Sequence, residues 1–233
     1  MITTRPPKRG RSKATMELWT QWLDAIRELL NWLSSDLGLG LGLSILVLTF
    51  GMRTALLPIS WLGAYRGAIR QRKMAKLQPT LAEIKKRCGA DPNQYLRQMK
   101  ALYADHGLTM MDGRSALAAL PQMPVFLGMY QVLRDGAQGV RFLWIQSLAK
   151  PDVWLALLAG VSTLLLMMAN PDLPQNMRLL LIVVPSILAV FMALKFCSAL
   201  AVYWTASNCF SAVQTATVHF VVRRRIRAGV VRI

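Results

Sequence analysis

Apolar residues in this chain gather into long runs separated by polar and basic stretches. Leu37–Trp61 holds a single charge, Arg53, and Ser115–Leu133 holds none. Val153–Ala169 and Leu179–Leu194 are also uncharged, and Phe196–Val222 carries only His219. A membrane helix needs roughly 20 apolar residues, with a range of about 17–25. The pattern therefore predicts five transmembrane helices, over 37–61, 115–133, 153–169, 179–194 and 196–222. Upstream, Trp19, Trp22, Leu23, Ile26, Leu29, Leu30 and Leu33 recur at helical spacing, which predicts an amphipathic helix over 16–36. Its tryptophans suit a membrane interface, because an indole ring has one wet and one apolar side. Residues 1–15 are basic and read as disordered.

Between the first two runs, 62–114 reads as a helical hairpin. Leu77, Leu81, Ile84 and Cys88 mark one stripe; Tyr95, Leu96, Met99, Leu102 and Tyr103 mark the other. Gly89 and Pro92 supply the turn between them. Both stripes are narrow, so the arms are expected to bury little against each other and to move.

Composition narrows the class. Of 233 residues, 54% are hydrophobic and 17% charged, against about 45–50% and about 25% in ordinary soluble domains. That much apolar surface excludes intrinsic disorder. Cys88, Cys197 and Cys209 show no CxxC or zinc spacing, which excludes a disulfide or zinc scaffold. The 28 Lys+Arg against 11 Asp+Glu give a net charge of +17. A basic soluble nucleic-acid binder is set aside because the charges sit in blocks around the apolar runs: at the N-terminus, in 66–114, and in the tail 223–233. Basic loops mark the cytoplasmic side. The hairpin, the turn 170–178 and the tail then lie in the cytoplasm, and the loop 134–152 lies outside. The basic N-terminus would also lie outside, and it is the one block the rule does not explain.

Arg53 is the residue that calls for chemistry. An arginine centred in a membrane costs about 2.5–3.5 kcal/mol on insertion scales. It keeps its proton, and no acidic residue lies in any of the five runs to neutralise it. Thr49 is one helical turn earlier on the same face. Gln122 and Gln131 lie in the second run, and Ser207, Asn208, Ser211, Gln214 and Thr215 form a stripe along the fifth. Pro58, Pro121, Pro124 and Pro185 free backbone carbonyls. Together these describe a polar groove with one positive charge, suited to transient binding of polar or acidic peptide segments. Scattered Ser and Thr, taken alone, equally serve as glue between helices. Two other functions remain open: a small channel or anion transporter using Arg53 as its selectivity charge, and a structural subunit of a membrane complex. No catalytic constellation, phosphate-binding GxxxxGK[ST] loop or metal-ligand spacing is present in the sequence, so no enzyme activity, cofactor or metal is expected.

Six blocks, in order, resemble the YidC-type membrane protein insertases. They are Leu48-Thr49-Phe50-Gly51-Met52-Arg53 with Leu57-Pro58; Met74-Ala75-Lys76-Leu77-Gln78-Pro79; Gln98-Met99-Lys100-Ala101-Leu102-Tyr103 with His106-Gly107; Gln122-Met123-Pro124-Val125-Phe126 with Tyr130; Phe142-Leu143-Trp144-Ile145 with Pro151-Asp152; and Tyr203-Trp204 with Ser207-Asn208 and Gln214. The resemblance runs from Gly38 to Arg227. It implies an all-α polytopic fold, a five-transmembrane-helix bundle with a cytoplasmic hairpin and a groove open to cytoplasm and lipid. It also implies that Arg53, beside Thr49, attracts hydrophilic segments of nascent membrane proteins. Gln122, Met123, Pro124, Tyr130, Tyr203 and Trp204 would meet the client as it slides into the bilayer. The ribosome and the Sec translocase are further candidate partners, and no specific nucleic-acid recognition is expected. The implied location is the bacterial inner membrane, with the N-terminus outside and the C-terminus in the cytoplasm. Thr109–Pro121 is longer than the family's usual stretch before Gln-Met-Pro, and Cys197-Ser198-Ala199 replaces its Pro-Ser-Gly. The chain reads as a compact, divergent member.

Overall fold

The structure, a computed structural model, describes residues 9–89, 91–108, 122–171, 173 and 177–230. The N-terminal residues 1–8, the expected start of the second span with Pro121, part of the turn 170–178 and residues 231–233 lie outside these. The side chain of Gln122 does so as well.

The described residues fold as α-helices, without a strand. In chain order these are α1 (Arg9–Asn31), α2 (Gly40–Ala55), α3 (Leu57–Cys88), α4 (Pro92–Asp105), α5 (Gln122–Gly136), α6 (Val153–Met168), α7 (Arg178–Ala193) and α8 (Ser198–Arg227). A wider π-type turn, Trp32–Asp36, links α1 to α2. Helix starts follow local chemistry. Asp91 caps α4 by accepting from the Asn93 and Gln94 amides at 2.9 and 3.2 Å, with Pro92 in the first turn. Asp152 caps α6 through the Leu155 amide at 2.8 Å.

The expected first span is not one straight helix. It breaks at Leu56, and α2 and α3 meet at a bend of 64°. Pro58, in the first turn of α3, has no N–H to continue the ladder from α2. Helix α3 then runs unbroken from the end of the expected span into the first arm of the hairpin. No single described helix is long and apolar enough to cross a membrane; the bent pair α2 and α3 passes that test together, and α6 and α7 are shorter apolar helices. At 16 residues each, α6 and α7 measure about 24 Å, against about 30 Å of hydrocarbon core.

Helix α8 is the centre of the bundle and packs against α2, α3, α5, α6 and α7. Its stretch Ala199, Leu200, Ala201, Val202 and Tyr203 is buried all round. Around it Ile26, Ile45, Met129, Leu133, Leu148 and Leu155 close the main core. Small residues bring α6 and α7 together: Val190 of α7 occupies the space a side chain at Gly160 would need, the Ser186 carbonyl lies beside it, and Ala159, Ala189 and Ala193 are buried. The loop 137–152 folds back on α8, where the Lys150 carbonyl accepts from Ser198 N and Oγ at 3.1 and 2.6 Å.

Two expectations change. Helix α1 begins at Arg9, ahead of residue 16, and much of its apolar face is covered by protein. Leu23, Ile26, Leu30 and Leu33 are buried, while Met16, Leu18, Leu29 and Trp32 stay exposed. The approach is possible because Gly128 on α5 has no side chain where Trp22 and Ile26 lie. The hairpin also has a core of its own. Leu77 and Leu81 of α3 meet Tyr103 and Leu108, flanked by Met74, Met99 and Leu102. Leu108 reaches this cluster because Gly107 turns the chain at a φ of +63° and the Leu108 amide bonds the Tyr103 carbonyl at 2.7 Å.

Candidate functional site

Arg53 lies in the last turn of α2, half-buried, and points at α8. Its Nε donates to Ser207 Oγ at 2.9 Å, and its Nη2 donates to the same oxygen. No carboxylate among the described residues pairs with it; the described ion pairs are Arg27–Asp24 and Arg87–Glu83. The guanidinium is therefore oriented by one neutral hydroxyl and keeps its full charge and most of its five donors.

The stripe expected to line a groove with Arg53 is divided among helices. Ser207 serves α2. Asn208 turns to α6, donating to Thr163 Oγ1 at 2.8 Å and Ser162 Oγ at 3.4 Å. Gln214 reaches α3, donating to Ser60 Oγ at 3.1 Å. Neighbouring positions on a helix point about 100° apart, whereas positions seven apart nearly coincide. Ser207 and Gln214 thus face the α2–α3 side, and Asn208 faces α6. Ser211 is half-buried between these directions. Thr49 is fully buried, and its hydroxyl bonds the Ile45 carbonyl of its own helix at 2.6 Å. It packs near Arg53 without offering a free polar group.

The residues of the second and last helices form an aromatic seam. Phe126 meets Trp204 edge-on at 5.9 Å and Tyr203 at 6.3 Å. Tyr130 meets Phe196 edge-on at 5.5 Å. Tyr203 is buried, Trp204 and Tyr130 are half-buried, and Met123 is exposed. Pro124 is exposed too, and its carbonyl accepts from Trp22 Nε1 at 3.2 Å. Sequence spacing did not single out Phe126, Ser60, Ser162 or Thr163. Each acquires its role from a partner far along the chain.

Toward the hairpin, one turn from Arg53, an open cleft of about 480 Å³ lies between α2–α3 and α8. Phe50, Leu57, Trp61, Phe210 and Val213 line it, so it is almost wholly apolar. Phe50 and Phe210 meet at 6.2 Å along this seam. Beyond it the helices close again: Ala68 packs on Val218 and Val222, Arg225 stacks over the Tyr65 ring at 5.3 Å, and Arg225 Nη1 donates to the Tyr65 hydroxyl at 3.2 Å. Among the described residues no three His, Cys, Asp or Glu side chains cluster to hold a metal.

The arrangement is that of a helical membrane-protein bundle in which the half-buried Arg53 sits between an apolar cleft and an aromatic seam. The family described as "60Kd inner membrane protein" matches residues 32–225, and the chain belongs to this family, the YidC-type insertases. It is similar to the "Membrane protein insertase YidC" of Aquifex aeolicus (strain VF5), 32% identical over 176 residues. That match covers 74% of this chain and 34% of the relative, so the chain spans about a third of that protein's length. It is also similar to the protein of that name from Staphylococcus aureus (strain JH9), 27% identical over 213 residues, covering 84% of this chain and 73% of the relative.

Proposed function

We propose that this protein is a non-enzymatic membrane protein insertase of the inner membrane. It takes hydrophilic segments of nascent membrane proteins at Arg53 and releases apolar segments into the bilayer. The observation that carries this reading is Arg53 itself: a fixed cation at the end of an apolar helix, held in place by Ser207, with no described carboxylate to neutralise it. Leaving a charge so placed is costly, and the cost is offset when a client brings a carboxylate or polar backbone to it. The names of the relatives support the same activity.

In this reading the client's polar segment halts at Arg53, while its apolar segment lies along the cleft at Phe50, Trp61 and Phe210 and the seam at Phe126 and Trp204. Partitioning of the apolar segment into lipid then drives release without a chemical step. Met123, Pro124, Tyr130 and Tyr203 border that exit, while Asn208 and Gln214 hold its walls together. The hairpin and the C-terminal end of α8 lie in the cytoplasm, where the ribosome and the Sec translocase would approach. The apolar character of the cleft beside Arg53 argues against anion passage. The test is insertion of a single-span client into liposomes carrying the purified protein. Wild type inserts it, Arg53→Ala loses most insertion, and full insertion by Arg53→Ala removes Arg53 from the mechanism.

A further inference from the structure

Helix α1 fills a gap that the rest of the bundle leaves open. Helices α2 and α5 both pack on α8 but scarcely touch each other; each packs on α1 instead. Ile26 and Leu30 of α1 share one core with Ile45 and Leu48 of α2 and with Val125 and Met129 of α5. Gly128 is the seat: a Cβ there would lie 2.7 Å from Trp22 Nε1 and 2.8 Å from the tip of Ile26. The gap is therefore shaped to take one helix with an apolar face. It lies on the α1 side of α2 and α5. The cleft at Phe50 and Phe210 and the seam of Phe126 and Trp204 lie on their α8 side.

The occupant has somewhere else to go. Two described hydrogen bonds tie its side chains to α5: Trp19 Nε1 donates to Gln131 Oε1 at 3.3 Å, and Trp22 Nε1 donates to the Pro124 carbonyl at 3.2 Å. Its described ion pair, Arg27–Asp24, is internal to the helix. Glu17, Asp24 and Glu28 are exposed on the face turned away from the core. An amphipathic helix of this kind is also stable in the plane of a membrane surface, apolar face toward the acyl chains and indole N–H groups among the headgroups. Leaving the gap for that surface keeps Leu23, Ile26, Leu30 and Leu33 out of water, so the exchange forfeits little hydrophobic stabilisation. The connection to α2 can absorb the motion. The π-type turn ends at Asp36, and Gly38 and Gly40 follow at φ of +67° and +71°, with nothing within 4 Å of where a Cβ would be.

We propose that the gap between α2 and α5 is a binding slot for an apolar helix, and that α1 is its resident placeholder, displaced to the membrane surface when an apolar segment of a client takes the slot. The identity of that occupant rests on the insertase reading; the slot itself does not, and neither depends on Arg53. The test uses the full chain in liposomes, with cysteines at two positions that touch, I26C and G128C. Cys209 is exposed, so the pair is placed in a C209S background. A disulfide between them pins α1 in the gap. The first readout is the rate of disulfide formation with a synthetic single-span apolar helix added, and with a polar helix of equal length as control. At about nine times its apparent Kd the apolar helix leaves roughly a tenth of the chains docked, so the rate should fall about tenfold. The polar helix should leave it unchanged. The second readout is client insertion by the locked chain, which should be largely lost and should return on reduction with dithiothreitol. A crosslinking rate that the apolar helix does not change, or full insertion by the locked chain, overturns the placeholder. Slower crosslinking with no insertion in either redox state keeps the slot and removes the insertase reading instead. Recovery on reduction in the same sample separates the lock from any packing defect the cysteines introduce.

Discussion

If Arg53 reads the polar segment of a client, its charge must couple energetically to a carboxylate on that client. The perturbation is a cycle of four combinations: wild type or Arg53→Ala, each with a client carrying Asp or Asn in its translocated segment. Two unit charges about 4 Å apart attract by about 4 kcal/mol at an effective dielectric near 20. Arg53 is half-buried and already shares Nε and Nη2 with Ser207, so part of that attraction replaces existing interactions. A coupling of ~1–3 kcal/mol is expected, which is about 5- to 150-fold in relative insertion. The assay is protease protection of the client's far end in proteoliposomes, read as initial rates. Arg53→Lys keeps the charge but loses the planar fork, and should retain part of the coupling. Because the partner charge would be met away from bulk water, raising salt should reduce the coupling only weakly, unlike attraction to an exposed basic surface. A coupling of zero, or one that vanishes with modest salt, would falsify the role assigned to Arg53.

Three further outcomes follow from the packing. Gly128→Leu forces a side chain into the space of Trp22 and Ile26; overpacking should destabilise the α1–α5 contact by about 1–3 kcal/mol, seen as a lower Tm in detergent. Asn208→Ala removes the bonds to Thr163 and Ser162 and should cost ~0.6 kcal/mol, at most about 1.7, in unfolding free energy with little change in insertion. Loss of insertion with unchanged stability would instead make Asn208 a client contact. Burial raises the Tyr103 phenol above its ordinary value, with Tyr95 adding to the shift and Arg70 opposing it. Folding then favours the protonated phenol, so its contribution is complete below the ordinary value of about 10 and is lost as pH rises through the raised value. In an ultraviolet titration Tyr103→Phe should remove one tyrosine's worth of late ionisation from the wild-type curve, and the wild-type hairpin should loosen at the pH of that lost step.

The sequence announced some elements sharply and hid others. Helices α6 and α7 end within a residue or two of their apolar runs, because Asp152 and Arg178 bound those runs. The break at Leu56 was less visible, since an early proline such as Pro58 is tolerated at a helix start and does not by itself say that a second helix begins there. The face of α1 could not be assigned from periodicity, as lipid and protein interiors attract the same residues. Gly128, a glycine within an apolar helix, was the available sign of close approach. The polar stripe on α8 was legible as a set but not in its allegiances. The seven-residue step from Ser207 to Gln214 gave a shared face, yet Arg53 and Ser60 are each 154 residues from their partners. Nothing local in the chain records such a pairing. The hairpin core depended on Leu108, which lies past the end of α4 and outside its helical repeat.

Helix α8 spans 30 residues, about 45 Å of unbroken rod. One end grips the hairpin's first arm through Arg225 and Tyr65, and Ser207, farther along, orients Arg53. A lever of this kind transmits displacement. A load that tugs the hairpin's first arm shifts the hydroxyl on which the guanidinium rests, so the position of that arm and the aim of the Arg53 charge are mechanically coupled.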